Sequence, residues 1–322
     1  PSSAASDVYK RQGYHGGPAY YIHDFVEKKR KKKIKKSFLA LLFAFFGLVC
    51  WCGISQVVSN SVTSAFNNAF SIPPIYTTVV LVAIAAVIVL RKNATVKFLD
   101  VIVPIMAVLY FLITIFIMLK NIRLMPSVFS RIFEEAFGFK QAVSGGFGAV
   151  LMNGIKRGLF SNEAGSGSAP CAAAAAEGKS PEAIGMVQSL GVLIDTVVIC
   201  TCTAMIILLV PQDIIASLQG MELLQTAMSY HLGPIGPYFI AVILFLFSFS
   251  TFLGVLFYAR SNVSYICGEN WLSQNIYKVV ALVMLFMGGL RSFTVVWDLG
   301  DVGIGLMTII NLIAVSYTHL TL

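Results

Sequence analysis

Charge is scarce in this 322-residue chain: only 12% of residues are Asp, Glu, Lys or Arg, against 57% hydrophobic. A soluble globular domain carries about a quarter charged residues. The mean hydropathy of +0.81 therefore excludes an ordinary soluble domain and points to an all-α polytopic membrane protein. Histidine is scarcer still, with His15, His23, His231 and His319 all outside the apolar runs, and no HExxH zinc motif occurs. Gly165-Ser166-Gly167-Ser168 lacks the GxSxG spacing of a nucleophile elbow. These gaps exclude the usual chemistries of an intramembrane hydrolase, and no enzyme is expected. The six cysteines lie mostly in apolar segments, as at Cys50, Cys52, Cys200 and Cys202. They have no zinc-type loop spacing and read as small buried residues.

What charge exists is concentrated. The net charge is +8, and eight of the nine residues from Lys28 to Lys36 are basic. A basic run beside an apolar segment is a topology and anionic-lipid signal, so it argues against a nucleic-acid partner. It places the Lys28–Lys36 loop in the cytoplasm of a multi-pass protein of the cell membrane. Arg91, Lys92, Lys97, Lys179, Arg260 and Lys278 then fall on the same side.

Apolar runs predict about eight crossings. They are Phe38–Ser59, Tyr76–Leu90, Leu99–Leu119, a broken element at Ala142–Phe160 and Ala169–Ala176, Ile184–Val210, Tyr238–Tyr258, Val279–Leu290 and Val295–Val315. Gly13–Glu27 is too short and polar to span and reads as interfacial. Ser55, Gln56, Ser59 and Asn60 read as the polar end of the first span. Lys120–Lys140, Glu177–Glu182, Pro211–Leu224 and Arg260–Lys278 read as loops. Residues 1–12 and 316–322 lack any such pattern and are expected to be non-native sequence, which leaves 13–315 as the membrane domain.

The chain is organised around Arg157–Pro170, RGLFSNEAGSGSAP. Three glycines, three serines, Asn162 and Glu163 interrupt apolar sequence there, and glycine raises the entropy cost of helix. Pro170 can open a new helical segment. Irregular backbone at membrane depth is tolerated only where it is buried in protein or lines a cavity. A broken helix of this kind is the usual binding device of secondary transporters; an ordinary loop between two helices is the other reading. A membrane carboxylate costs about 2.5 kcal/mol or more unless paired or solvated. Glu163 is thus read either as a cap for exposed N–H groups or as a group that meets a cation or substrate. Asp195 is read as an acid that locks helices together, or as an ion ligand. Ser250 and Thr251 are adjacent hydroxyls in an apolar run, either bonded to the preceding turn or offered to a cation that prefers hard oxygen donors. Trp297 and Asp298 read as an interfacial belt and a helix end.

GLFSNEAGSGSAP resembles the central motif of the alanine or glycine:cation symporter family, the sodium:alanine symporters. Gly191–Leu208, Ser250-Thr251-Phe252-Leu253-Gly254, Trp297-Asp298-Leu299 and Gly16-Gly17-Pro18-Ala19-Tyr20-Tyr21-Ile22 resemble further motifs of that family in the same order. The resemblance implies a LeuT-type fold of two five-helix inverted repeats. The family's other broken helix has no counterpart here, so an N-terminally truncated chain with its first helices missing is expected. It implies sodium-coupled symport of a small neutral amino acid, alanine or glycine, by alternating access, with sodium the coupling ion and no cofactor. A substrate pocket is implied at Trp51, Phe160, Ser161, Asn162, Glu163 and Val255, and a sodium site at Ser250 and Thr251. The departures bear on the substrate. Val255 stands where the family often has Trp, Trp51 where it tends to have Phe, and Ala173 where it commonly has His. A different amino acid such as glutamine, or a cation channel, is the alternative. A monomer is expected in the lipid bilayer.

Overall fold

The computed structural model describes residues 16–90, 97–137, 146–174 and 180–319. Several expectations lie outside them: the stretches 1–12, 13–15 and 320–322, Ala142 to Gly145, Ala175 and Ala176, Glu177 to Lys179, and Arg91 and Lys92. The described chain is helical. Its elements are α1 (Pro18–Arg30), α2 (Phe38–Phe70), α3 (Pro74–Leu90), α4 (Lys97–Lys120), α5 (Met125–Phe137), α6 (Gly146–Asn162) and α7 (Ser168–Ala173). Then come α8, built from Pro181–Leu193, a π-helical turn Ile194–Ile199 and Cys200–Leu208, and α9 (Gly220–Leu232), α10 (Ile235–Cys267), α11 (Trp271–Leu290) and α12 (Phe293–His319).

Six helices among the described residues are long and apolar enough to cross a membrane: those at Phe38–Phe70, Val101–Lys120, Glu182–Leu208, Ile235–Cys267, Trp271–Leu290 and Phe293–Ser316. Two further crossings were expected. One is α3, apolar throughout but only 17 residues long, about 25 Å at 1.5 Å per residue. The other is the broken element, α6 plus α7. The exposed side chains are largely aliphatic, among them Val80, Val101, Ile105, Leu112, Val187, Leu190 and Ile309. An apolar exterior on apolar helices makes this an integral membrane protein.

Loops expected from polarity turned out shorter. α2 continues past Ser59 to Phe70, and Ser55, Gln56, Ser59 and Asn60 are buried within it rather than at its end. Part of this polarity is met internally: the Ser55 hydroxyl donates to the Trp51 carbonyl at 2.8 Å, and Asn60 Nδ2 donates to the carbonyls of Gly288 at 3.2 Å and Arg291 at 2.8 Å, whereas Gln56 Oε1 and the Ser59 hydroxyl have no partner among the described residues. Arg260–Lys278 is mostly helix, because α10 runs on to Cys267 with Ser261, Asn262 and Ser264 buried. Within Lys120–Lys140, α5 carries Phe129, Phe133 and Phe137 exposed at a four-residue spacing, the stripe of an amphipathic helix. Pro211–Leu224 already contains the start of α9. The segment expected to be interfacial forms α1, and it docks on the body, with Ala19 and Ile22 fully buried.

α2 is the central strut. Its Phe43 and Trp51 share one apolar core with Phe252 of α10, Leu285 of α11 and Met307 of α12. Small residues allow the close approach that membrane helices pack by. A Cβ on Gly288 would lie 2.3 Å from Gln56 Cα, and one on Gly303 2.6 Å from Cys50 Cα. A second core joins α4, α8 and α9 through Tyr110, Ile117, Ile206 and Met228.

Candidate functional site

The helix breaks within the expected motif. α6 closes at Asn162 with the Glu163 amide donating to the Leu159 carbonyl at 3.0 Å, and α7 opens at Ser168. Between them Glu163, Gly165 and Gly167 take left-handed backbone, with φ of 50, 79 and 102°. Gly167 is a position where glycine is required. A Cβ there would lie 2.7 Å from Pro18 and 2.8 Å from Phe43, on top of a conformation that L-residues avoid.

The turn is stitched by its own polar groups. The Ser166 hydroxyl donates to the Glu163 carbonyl at 2.6 Å and lies 3.0 Å from the Ser168 hydroxyl. The Ala164 amide donates to Asn162 Oδ1 at 2.9 Å, an Asx turn of the kind that ends helices.

Three other elements hold the break from outside. On α8, Asp195 accepts from the Ser161 hydroxyl at 2.7 Å, and Thr196 accepts from Asn162 Nδ2 at 2.9 Å. Both acceptors lie in the π turn, and π turns recur at functional sites. On α12, Asn311 Nδ2 donates to the Gly165 carbonyl at 2.8 Å, while its Oδ1 accepts from Tyr21 of α1. At the N-terminus of α1, a Cβ on Gly17 would sit 3.0 Å from Cys171 Sγ of α7. The two glycine-containing motifs, remote in sequence, are thus one structural unit.

Phe160 faces α12, its ring 4.8 Å from that of Trp297 between centroids. The Arg157 guanidinium covers both rings, 4.8 Å from Trp297 and 5.6 Å from Phe160, and pairs with Asp301. Trp297 therefore sits beside the last turn of α6. Trp51 is fully buried, 6.1 Å from the Tyr258 ring between centroids. Its indole N–H has no hydrogen-bond partner among the described residues. Val255, 2% exposed, belongs to the same core as Trp51.

Ser250 and Thr251 both donate to the Phe247 carbonyl, at 2.8 and 3.0 Å. This is bonding to the preceding turn. A hydroxyl proton spent on a carbonyl still leaves the oxygen lone pairs outward, so the same geometry can present two oxygens to a cation.

Of the expected site residues, Phe160, Ser161, Asn162 and Glu163 are gathered at the break, and Trp51 and Val255 in the core beside it. Ser250 and Thr251 lie on α10 one turn before Val255. Four participants were missed: Tyr21, Arg157, Asp301 and Asn311. Asn311 and Asp301 carried a readable signal, as polar residues inside an otherwise apolar run.

The model of the sodium:alanine symporter family matches residues 3–320. The amino-acid carrier protein AlsT of Bacillus subtilis is 39% identical over 98% of this chain and 66% of its own length. The probable sodium/glutamine symporter GlnT of Bacillus subtilis is 38% identical over 97% of this chain and 65% of its own. The sodium/alanine symporter AgcS of Methanococcus maripaludis is 34% identical over 92% of this chain and 65% of its own. The chain thus spans slightly under two thirds of the length of these relatives.

Proposed function

The chain belongs to the sodium:alanine symporter family, and from that premise we propose that it forms the body of a secondary transporter coupling sodium entry to uptake of a small neutral amino acid, alanine or glycine. The observation that carries the proposal is the interrupted helix at Glu163–Gly167. Its irregular backbone is enclosed by α1, α2, α8 and α12, the condition under which such backbone survives at membrane depth. We assign the substrate to Phe160, Ser161, Asn162 and Glu163, with Trp51 and Val255 as the wall opposite. The unpartnered indole N–H of Trp51 supports this, since a buried donor without an acceptor costs about 1–3 kcal/mol and a substrate carboxylate would relieve it. Sodium, as coupling ion, is assigned to the Ser250 and Thr251 oxygens.

We read the arrangement as a LeuT-type inverted repeat with eight crossings, counting α3 and the broken element. Alternating access would swing the break and its partners against α2. We place the protein in the plasma membrane as a monomer, with the Lys28–Lys36 loop in the cytoplasm. A second reading, glutamine as substrate, has a specific support in the relative named a sodium/glutamine symporter.

Uptake by the full-length protein in liposomes tests the reading. An inward sodium gradient should drive saturable accumulation of labelled alanine. Competition by unlabelled glycine with none by glutamine supports the small-substrate pocket, and the reverse order supports glutamine. Sodium conductance without stoichiometric substrate flux would identify a channel instead.

A further inference from the structure

We propose that the basic run Lys28–Lys36, which is the last turn of α1 and the loop after it, together with Phe38 and Trp271, is a preformed docking surface for anionic phospholipid headgroups. The loop has a built shape. Lys31 caps α1 in left-handed conformation with φ of 49°, and the Ile34 amide donates to Glu27 Oε1 at 2.8 Å, closing the turn. That bond holds the Glu27 carboxyl below the usual carboxylate range, so it stays an acceptor at neutral pH. The mouth of the loop is pinned to the end of α10. The Tyr265 hydroxyl accepts from the Ser37 amide at 3.1 Å and meets His23 Nδ1 at 2.8 Å, and Lys36 Nζ donates to the Ile266 carbonyl.

The charge this shape presents is one-sided. Lys28, Arg30, Lys32, Lys33 and Lys35 are exposed. The carboxylates near them are Asp24 and Glu27 on α1 and Glu269 after α10, too few to neutralise the eight basic residues of the run. Immediately beyond the loop, α2 begins with Phe38 at 78% exposure, and α11 begins with Trp271 at 71%. Both are first residues of membrane-crossing helices. Large aromatics at helix ends belong at the headgroup level. Clustered cations at that same level fit a negative headgroup layer better than a soluble partner, because the aromatics add anchorage that a soluble polyanion cannot use.

The loop bears on the break only indirectly, through α1 and the Tyr21–Asn311–Gly165 chain, so the surface does not depend on which substrate is carried. The test is lipid binding by detergent-purified protein, using short-chain phosphatidylglycerol, phosphatidylcholine and inorganic phosphate as probes. Phosphatidylglycerol should bind at least ten times more tightly than phosphatidylcholine, and raising salt should weaken it. The triple variant Lys32→Gln, Lys33→Gln, Lys35→Gln should lose about a hundredfold, from roughly fivefold per charge near a headgroup layer. The charge-conserving Lys32→Arg, Lys33→Arg, Lys35→Arg protein should keep the binding. Equal affinity for the two lipids, no loss in the glutamine variant, or full displacement by inorganic phosphate or a short oligonucleotide would overturn the proposal. The salt dependence of the unmodified protein decides the matter even where the glutamine variant fails to fold.

Discussion

The Ser161 hydroxyl donates to Asp195 Oδ2 at 2.7 Å, joining the last turn of α6 to the π turn of α8. One residue on, Asn162 bonds Thr196 at 2.9 Å. The half-helix that ends at the break is therefore held by two consecutive side chains, both meeting the one stretch of α8 whose backbone departs from α-helix. A motion of α8 would be transmitted to the break through these bonds.

Asp195→Ala removes the acceptor and should cost about 0.5–1.5 kcal/mol of stability, the net worth of one hydrogen bond. Asp195→Asn keeps an acceptor and should cost less than half of that. Thermal unfolding in micelles compares the two, and equal losses would remove the hydrogen bond from the account. Substrate affinity should fall with stability in the alanine variant and be largely retained in the asparagine one.

Gly167→Ala should be far more damaging than its size suggests. The added methyl meets Pro18 and Phe43 below 3 Å in a left-handed conformation, and strain plus overpacking predicts a loss of about 2–5 kcal/mol. Gly148→Ala is the control: a Cβ there has nothing within 4 Å, and the change should be neutral or stabilising by up to about 1 kcal/mol. Unfolding midpoints of both variants, measured side by side, check the contrast.

Trp51 and Val255 are each nearly inaccessible, at 0% and 2% exposure. Val255→Trp alone should overpack the core by about 1–3 kcal/mol. Adding Trp51→Phe should restore both folding and the binding of small amino acids. A full double-mutant cycle reads the coupling, and strict additivity of the two changes would mean that they do not share a wall.

The extent of the fold that could be read from sequence follows from what each feature depends on. The long apolar runs of α2, α4, α8, α10 and α12 depend only on bilayer thickness, and they stand close to where hydropathy puts them. The break at Glu163–Gly167 was legible because glycine and serine are costly in apolar helix. Helix ends were less legible. Ser261, Asn262 and Ser264 look like loop residues, yet the Ser261 hydroxyl donates to the Gly16 carbonyl, Asn262 Nδ2 donates to the Ala44 carbonyl of α2 at 3.3 Å and the Ser264 hydroxyl accepts from Gln274 of α11 at 3.0 Å, much as Asn60 of α2 bonds the Gly288 carbonyl of α11. Tertiary partners of this kind override composition. The pairing of Arg157 with Asp301, 144 residues apart, and the relay from Tyr21 to Gly165 through Asn311 depend on how helices pack, which no local pattern encodes.

Thr251→Val in the full-length protein should weaken sodium binding by roughly 1–3 kcal/mol, because one oxygen ligand is replaced by a methyl of nearly the same shape. That is about fivefold to over a hundredfold in affinity. Because its hydroxyl also bonds the Phe247 carbonyl within the helix, stability should change little, and at saturating sodium most substrate binding should return. An unchanged sodium dependence would reduce Thr251 to an internal helix contact.

The central claim is that sodium and a small amino acid bind one site complex around the helix break, and equilibrium binding of labelled alanine to the purified full-length protein at varied sodium tests it most directly. Coupled sites must shift each other's affinity by the same factor. The account predicts that alanine affinity rises at least tenfold from sodium-free to saturating sodium, that potassium does not substitute, and that alanine tightens sodium binding by that factor in return. Alanine affinity that is the same in sodium and in potassium would contradict it.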